Sequence, residues 1–239
     1  MSFFEFLKKL NSCFQLIFKK RVKQFGGHTF SQCGEDVIVQ YIFQLRNIQK
    51  PNYIDIGAHH PYYLSNTALF YEKGGRGVNI EANPLLLPAF KKERPEDINL
   101  NIGIGKEDAE LDFYIMQDNS LSTFSIEEYT KMQELGKTLE RVEKIAIKTL
   151  PNIIQTCCNN QFPDFMSIDV EGMDFEILQT IDFENNYPKV ICVEAAEYSP
   201  IGAGKSRNDL IDFLVEKGYY EYANTNLNAI MVKNEFWFI

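Results

Sequence analysis

Four carboxylates stand at the ends of apolar runs. Asp55 lies in Tyr53-Ile54-Asp55-Ile56-Gly57-Ala58-His59-His60-Pro61, and Glu81 in Gly77-Val78-Asn79-Ile80-Glu81-Ala82-Asn83-Pro84. Asp169 lies in Phe165-Met166-Ser167-Ile168-Asp169-Val170-Glu171-Gly172, and Glu194 closes Lys189-Val190-Ile191-Cys192-Val193-Glu194. Each run reads as a strand. If the strands are parallel, the four acids share one edge of a sheet, where open α/β folds bind ligands. There a carboxylate can accept hydrogen bonds from hydroxyls, take up a proton or face a cation. Gly57 permits a tight turn and close backbone approach. A single such acid also suits an ordinary strand end before a helix; four favour a common cleft.

The turn after Asp55 narrows the ligand. A dinucleotide site requires Gly-x-Gly-x-x-Gly, so that a pyrophosphate can rest on a helix start. Here Gly57 is followed by Ala58, His59, His60 and Pro61, and no Gly-x-x-x-x-Gly-Lys-Ser/Thr loop occurs. The pattern suits a nucleoside without phosphates, such as S-adenosylmethionine. Glu81, 26 positions beyond Asp55, would meet the ribose hydroxyls, Asn101 the base, and the first turn the aminoacyl end. A sulfonium charge is compatible with an acidic pocket. Gln32 and Glu35 fall beside the same mouth, although Glu35 and Asp36 equally fit the positive start of a helix.

For transfer to a hydroxyl, Asp169 is the candidate base, with His59 or His60 second and Glu171 a further catalytic candidate; both histidines also fit a helix-entry turn. Asp169, Glu171 and Glu194 form a possible Mg²⁺ set, while Glu171 alone suits helix-start electrostatics.

The elements that would position these groups alternate along the chain. Helices are expected over 37–43 with Ser31 as cap, 64–73 stopped by Gly74-Gly75, Pro84 to Lys91, Asp174 to Thr180, and Ser206 to Lys217 stopped by Gly218. A third strand is expected over 98–105 and a short edge strand over 110–116. Residues 118–145 read as polar with helix-like stretches, inside a variable, substrate-facing insertion spanning 118–160. Tyr219–Ala223 and Asn228–Lys233 read as a final antiparallel pair. The alternation calls for a mostly parallel sheet covered on both faces.

Composition sets further bounds. The 239 residues, 45% hydrophobic, suffice for one α/β domain over 30–239, and the net charge of −9 argues against non-specific nucleic-acid binding. The five cysteines, Cys13, Cys33, Cys157, Cys158 and Cys192, lack Cys-x-x-Cys spacing. A reducing, cytoplasmic setting is expected. Residues 1–29 form a separate extension. Within residues 1–24, Phe3, Phe4, Phe6, Leu7 and Leu10 alternate with Lys8, Lys9, Lys19, Lys20, Arg21 and Lys23. Over residues 1–30, six basic groups against Glu5 give +5, which leaves −14 for the remainder. A basic amphipathic helix of this kind either lies weakly on the inner face of an anionic membrane or packs on the domain or a second subunit.

The chain resembles the FkbM-type S-adenosylmethionine-dependent methyltransferases. The matching pieces are Ser31-Gln32-x-Gly34-Glu35-Asp36, the Asp55 and Glu81 stretches, Ser65-Asn66-Thr67 and Ser167 to Gly172. The resemblance covers about residues 30–235 and leaves out the first 24. It implies a Rossmann-like seven-stranded methyltransferase fold and O-methylation, commonly of a sugar, surface glycan or secondary metabolite. It carries cofactor roles onto Asp55, Gly57, Glu81, Asn83 and Asn101, with Ala58, Ser65, Ala82 and Asp169 in the same pieces. Two other readings stand beside it. One is a nucleotide-sugar or NAD enzyme on a similar sheet, disfavoured by the missing glycines. The other is a non-catalytic nucleoside-binding or membrane-associated scaffold module.

Overall fold

A computed structural model describes residues 28–170, 172–195 and 208–238. Within them the chain runs α1 (Glu35–Leu45), β1 (Tyr53–Ile56), α2 (Ala68–Glu72), β2 (Gly77–Ile80), α3 (Leu87–Glu93), β3 (Ile98–Leu100), β4 (Gly103–Gly105) and β5 (Ala109–Met116). A 3₁₀ turn (Asn119–Leu121) follows, then α4 (Ile126–Glu134), β6 (Leu139–Thr149), α5 (Leu150–Cys157), β7 (Phe165–Ile168) and α6 (Asp174–Leu178). The last elements are β8 (Val190–Glu194), α7 (Asn208–Glu216), β9 (Tyr219–Asn224), β10 (Asn228–Lys233) and α8 (Asn234–Trp237).

Seven strands form the main sheet in the order β3-β2-β1-β7-β8-β10-β9. The first five in that order are parallel, and β10 runs antiparallel to both β8 and β9. The chain moves outward from β1 to β3 and resumes at β7 on the other side of β1. That reversal places a switch point, and so a crevice, at the carboxyl ends of β1 and β7.

Strand alternation splits the core between two faces. Ile54, Ile56, Val78, Ile80, Met166, Ile168, Ile191 and Val193 pack under α5, α6 and α7 through Ile153, Leu178, Leu210 and Leu214. Tyr53, Phe165, Val190, Cys192, Ile230 and Val232 face α1 and α2 through Val39, Ile42, Phe43 and Phe70. Each such side chain taken fully out of water contributes about 1.5–3 kcal/mol, so the central strands are fixed from both sides. Gly77 has no room for a side chain, because a Cβ there would lie 2.2 Å from the Tyr53 ring. β1 and β2 therefore stay in register at that level.

Several boundaries differ from the sequence reading. The stretch 98–105 is two strands, because the Asn101 amide turns back to bind backbone and β4 joins a second sheet, β4-β6-β5. The polar stretch 118–145 does hold a helix, α4, but its end is the start of β6, which pairs along its length with β5. Charges fall on both faces of the first half of β6, and Lys144 Nζ donates to Asp112 Oδ1 at 3.0 Å across the ladder, which hides a strand pattern. α5 packs Leu150, Ile153 and Ile154 into the main core rather than belonging to a loose insertion. α2 starts at Ala68 because Ser65 Oγ accepts the N–H groups of Thr67 and Ala68. Pro84 precedes α3, which takes Pro88 in its first turn.

α1 has Gly34 at its cap position, and Ser31 bonds the side chain and N–H of Asp36 instead. Residues 1–24 and Ser206 lie outside the described residues. No helix among the described residues is long and apolar enough to cross a membrane.

Candidate active site

A cavity of about 450 Å³ opens along the carboxyl edge of the sheet. Asp55, Glu81, Asp169 and Glu194 all line it, together with Asn228 from β10. Residues 119–124, from the insertion, and Phe113, from β5, complete the lining. The cavity has two characters. Ile80, Ala82, Ile102, Ile104, Phe113 and Phe124 are apolar, with Ala82, next to Glu81, in one packed cluster with Phe113 and Phe124; Gln32, Ser65, Asn66, Ser167, Asp169, Glu194 and Asn228 are polar.

The first turn sets the geometry of the floor. Gly57 has φ 80°, and a Cβ there would sit 1.8 Å from the carbonyl oxygen of Asp169. The absence of a side chain lets the β1 turn lie directly against the end of β7. Gly57 N and Ala58 N both donate to Ile80 O at 3.0 Å, and Asp169 N donates to Ile56 O at 3.0 Å. Three strand ends are thus stitched together beneath the cavity. His59 has φ 52°, and its N–H donates to Glu81 Oε2 at 2.7 Å. Burial lowers the His59 pKa, with His60 adding to the effect, so its ring is a neutral imidazole at pH 7. His60 does not line the cavity; its Nδ1 accepts the N–H groups of Tyr62 and Tyr63 and serves the turn.

Glu81 is buried, and its second oxygen accepts Asn83 N at 2.6 Å. Desolvation nonetheless outweighs these two backbone bonds and pushes its carboxyl up to about 7 from 4.5. Between those values the folded chain holds a proton that the unfolded chain releases. The stabilising contribution of this protonation is complete below about 4.5 and is lost as pH rises through about 7. Relative to Glu81→Gln, which does not titrate, the ligand-free parent should lose roughly 3 kcal/mol between pH 4.5 and 8. Urea unfolding of both proteins at each pH measures this; parallel pH profiles would contradict it.

Asp55 is also buried, and desolvation raises its pKa against the pull of Thr67 and Arg94. Thr67 Oγ1 donates to Asp55 Oδ2 at 2.6 Å, and Arg94 donates to Thr67 Oγ1 at 3.0 Å. Arg94 is fully buried. Its other donors reach Tyr53 OH at 2.8 Å and Asp97 Oδ2 at 2.9 Å. Asp97 in turn accepts from Tyr53 OH, Gly77 N and Asn79 Nδ2. The acid at the cavity floor is therefore the outer end of a buried polar chain. The sequence reading had no place for Arg94 or Asp97 and met Thr67 only within the Ser65-Asn66-Thr67 piece, since nothing local marks an arginine at a helix end as internal.

The remaining expected residues fall into two groups. Gln32, Ala58, Ser65, Ala82 and Asp169 line the cavity. Glu35, Asn83 and Asn101 do not, and each supports a neighbour instead. Asn101 Nδ2 donates to the carbonyls of Glu81 and Ala82, both at 2.8 Å, and holds the β2 turn rather than reaching a base. Asn83 N binds the Glu81 carboxylate.

Glu35 is buried; burial raises its carboxyl, but hydrogen bonds from Asn228, Cys33 and Thr225 outweigh it and the net shift is downward. Its Oε1 accepts Asn228 Nδ2 at 3.0 Å. Asn66 and Asn228 line the cavity without having been anticipated, and Asn66 Nδ2 donates to Ser167 Oγ at 3.2 Å. Glu171 lies outside the described residues. Among those described, no cluster of three or more His, Cys, Asp or Glu could hold a metal ion.

A seven-stranded sheet of this order, with an acid-rimmed crevice at its switch point, defines the Rossmann-like methyltransferase fold. The chain belongs to the methyltransferase FkbM domain family, whose profile matches residues 55–220. No curated protein matches it.

Among solved structures, a TehB-like SAM-dependent methyltransferase from Corynebacterium glutamicum is 9% identical with a TM-score of 0.41, covering 95% of this chain and 99% of the other. A Burkholderia thailandensis 1,6-didemethyltoxoflavin-N1-methyltransferase is 10% identical with a TM-score of 0.43, covering 97% and 89%. A candidate caffeoyl-CoA O-methyltransferase from Staphylococcus aureus is 13% identical with a TM-score of 0.47, covering 96% and 98%.

Proposed function

We propose that the protein transfers a methyl group from S-adenosylmethionine to a hydroxyl of a sugar, glycan or secondary metabolite. The observation that carries this reading is the pairing of Glu81 with an apolar slot. A carboxylate whose oxygens already accept His59 N and Asn83 N keeps lone pairs for two ribose hydroxyls. Ala82, Ile104, Phe113 and Phe124 offer walls for a flat base beside it. The volume of about 450 Å³ lies in the range of small-molecule sites. The single-glycine turn at Gly57 offers no phosphate cradle, in keeping with a nucleoside that has none.

The bound cofactor would supply an electrophilic methyl on a cationic sulfur. Everything else falls to the chain. Asp55 and Glu194 give the cavity a negative field that suits a cation. The rigid β1 and β7 ends hold donor and acceptor in line, a contribution worth about 7–11 kcal/mol in favourable cases. Asp169, against the Gly57 turn, takes the hydroxyl proton, with neutral His59 as the second group able to do so.

Asp169→Asn should slow transfer about 10²–10⁴-fold while S-adenosylhomocysteine affinity changes less than about threefold. The acceptor is found by mass spectrometry as a glycan or metabolite one methylene heavier, and binding is read by calorimetry. Equal losses in transfer and affinity would remove the base role.

A further inference from the structure

The side-chain amide of Asn119 is oriented from behind. Leu85 N–H donates to Asn83 Oδ1 at 3.0 Å. A backbone N–H must meet an oxygen, so the Asn83 nitrogen points the other way, and it donates to Asn119 Oδ1 at 3.0 Å. Asn83 is 1% exposed and packed in place. Its backbone N–H also binds Glu81 Oε1, which ties the β2 carboxylate to the insertion. Asn119 Oδ1 is thus committed to Asn83, and Nδ2 is its remaining end. No hydrogen bond to that nitrogen occurs among the described residues, and Asn119 lines the cavity. Through Asn83 the residue is linked to the Glu81 carboxylate, and it lines the same cavity as Phe113 and Phe124.

We propose that Asn119 reads the nucleobase: its Nδ2 donates to a ring nitrogen of the purine, with Asn83 as the positioning residue. This rests on the nucleoside reading of the same cavity. It assigns base recognition to the insertion, whereas the sequence reading placed it on Asn101. It also makes cofactor binding and the placement of the 119–124 wall parts of one event, since the same amide chain runs through both.

Calorimetry with S-adenosylhomocysteine and its 1-deaza, 3-deaza and 7-deaza analogues tests the assignment. Asn119→Ala should bind S-adenosylhomocysteine about threefold to tenfold more weakly than the parent. One deaza analogue should show the same loss on the parent and no further loss on Asn119→Ala. Asn119→Asp keeps the oxygen for Asn83 but offers no donor, and should lose at least as much; thermal melts without ligand check that both variants fold. Unchanged affinity in Asn119→Ala, or a variant that discriminates among the analogues as the parent does, overturns the proposal. A parent that binds no S-adenosylhomocysteine removes the nucleoside reading itself and the proposal with it.

Discussion

Glu81→Ala should weaken S-adenosylhomocysteine binding by about a hundredfold or more at pH 8. Hydrogen bonds to a charged group contribute about 1.5–3 kcal/mol each, and two ribose hydroxyls would meet this one carboxylate. The loss has a signature that simple unfolding would not give. Glu81 is buried with its carboxyl raised to about 7, so the ligand-free chain bears a cost for its charge at pH 8. Removing the acid relieves that cost while leaving the His59 and Asn83 N–H groups unmatched, so the ligand-free protein should stay folded while affinity is lost. The parent's affinity should also fall as pH drops below about 7, because hydroxyl donors favour the ionised form, and Glu81→Ala should lack that dependence. Titration calorimetry at pH 6 and pH 8 reads both effects. Affinity within threefold of the parent at pH 8 would show that the β2 acid does not hold the ligand.

Arg94→Met should cost about 3–5 kcal/mol of folding stability, a large share of the roughly 5–15 kcal/mol of a typical domain. The guanidinium is wholly enclosed and joins Asp97, Tyr53 and Thr67. Without it Asp97 remains buried as an unmatched charge, and the Thr67 hydroxyl that holds Asp55 loses its anchor. Packing alone would predict less, since methionine replaces most of the stem. The double variant Arg94→Met with Asp97→Leu should recover part of the loss, because removing both charges is cheaper than stranding one. Denaturant unfolding of the three proteins measures this. A loss below about 1 kcal/mol in the single variant would mean that Asp97 and Asp55 do not depend on the arginine.

The two predictions rest on residues of unequal legibility. Glu81 and its partners at Asp55, Asp169 and Glu194 could be read directly, because each ends a short apolar run bounded by turn residues, and parallel strands bring such ends to one edge. Arg94 could not, since its burial comes from Tyr53, Thr67 and Asp97 on separate elements. Glu35 misled for the same reason. It sits next to Gln32, which does reach the cavity, but it turns inward to Thr225 and Asn228, more than 150 positions on in the chain. β6 was hidden by its own charges. Lys144 finds its counter-charge on Asp112 across the ladder and Lys148 on Asp108 just before β5, and the apolar alternation is confined to Ile145 and Ile147 at the strand's end. Asn101 illustrates a third cause. A polar residue just past a strand can satisfy the neighbouring backbone as readily as a ligand, and its amide does so twice.

The crevice at the β1–β7 switch point should hold an adenosine without phosphates. Titration of the unmodified protein with S-adenosylhomocysteine addresses it most directly, with ATP and NAD as competitors. The expected result is one site per chain, displaced by S-adenosylmethionine and indifferent to either phosphorylated nucleotide. No heat of binding, or preferential binding of a phosphorylated nucleotide, would contradict it.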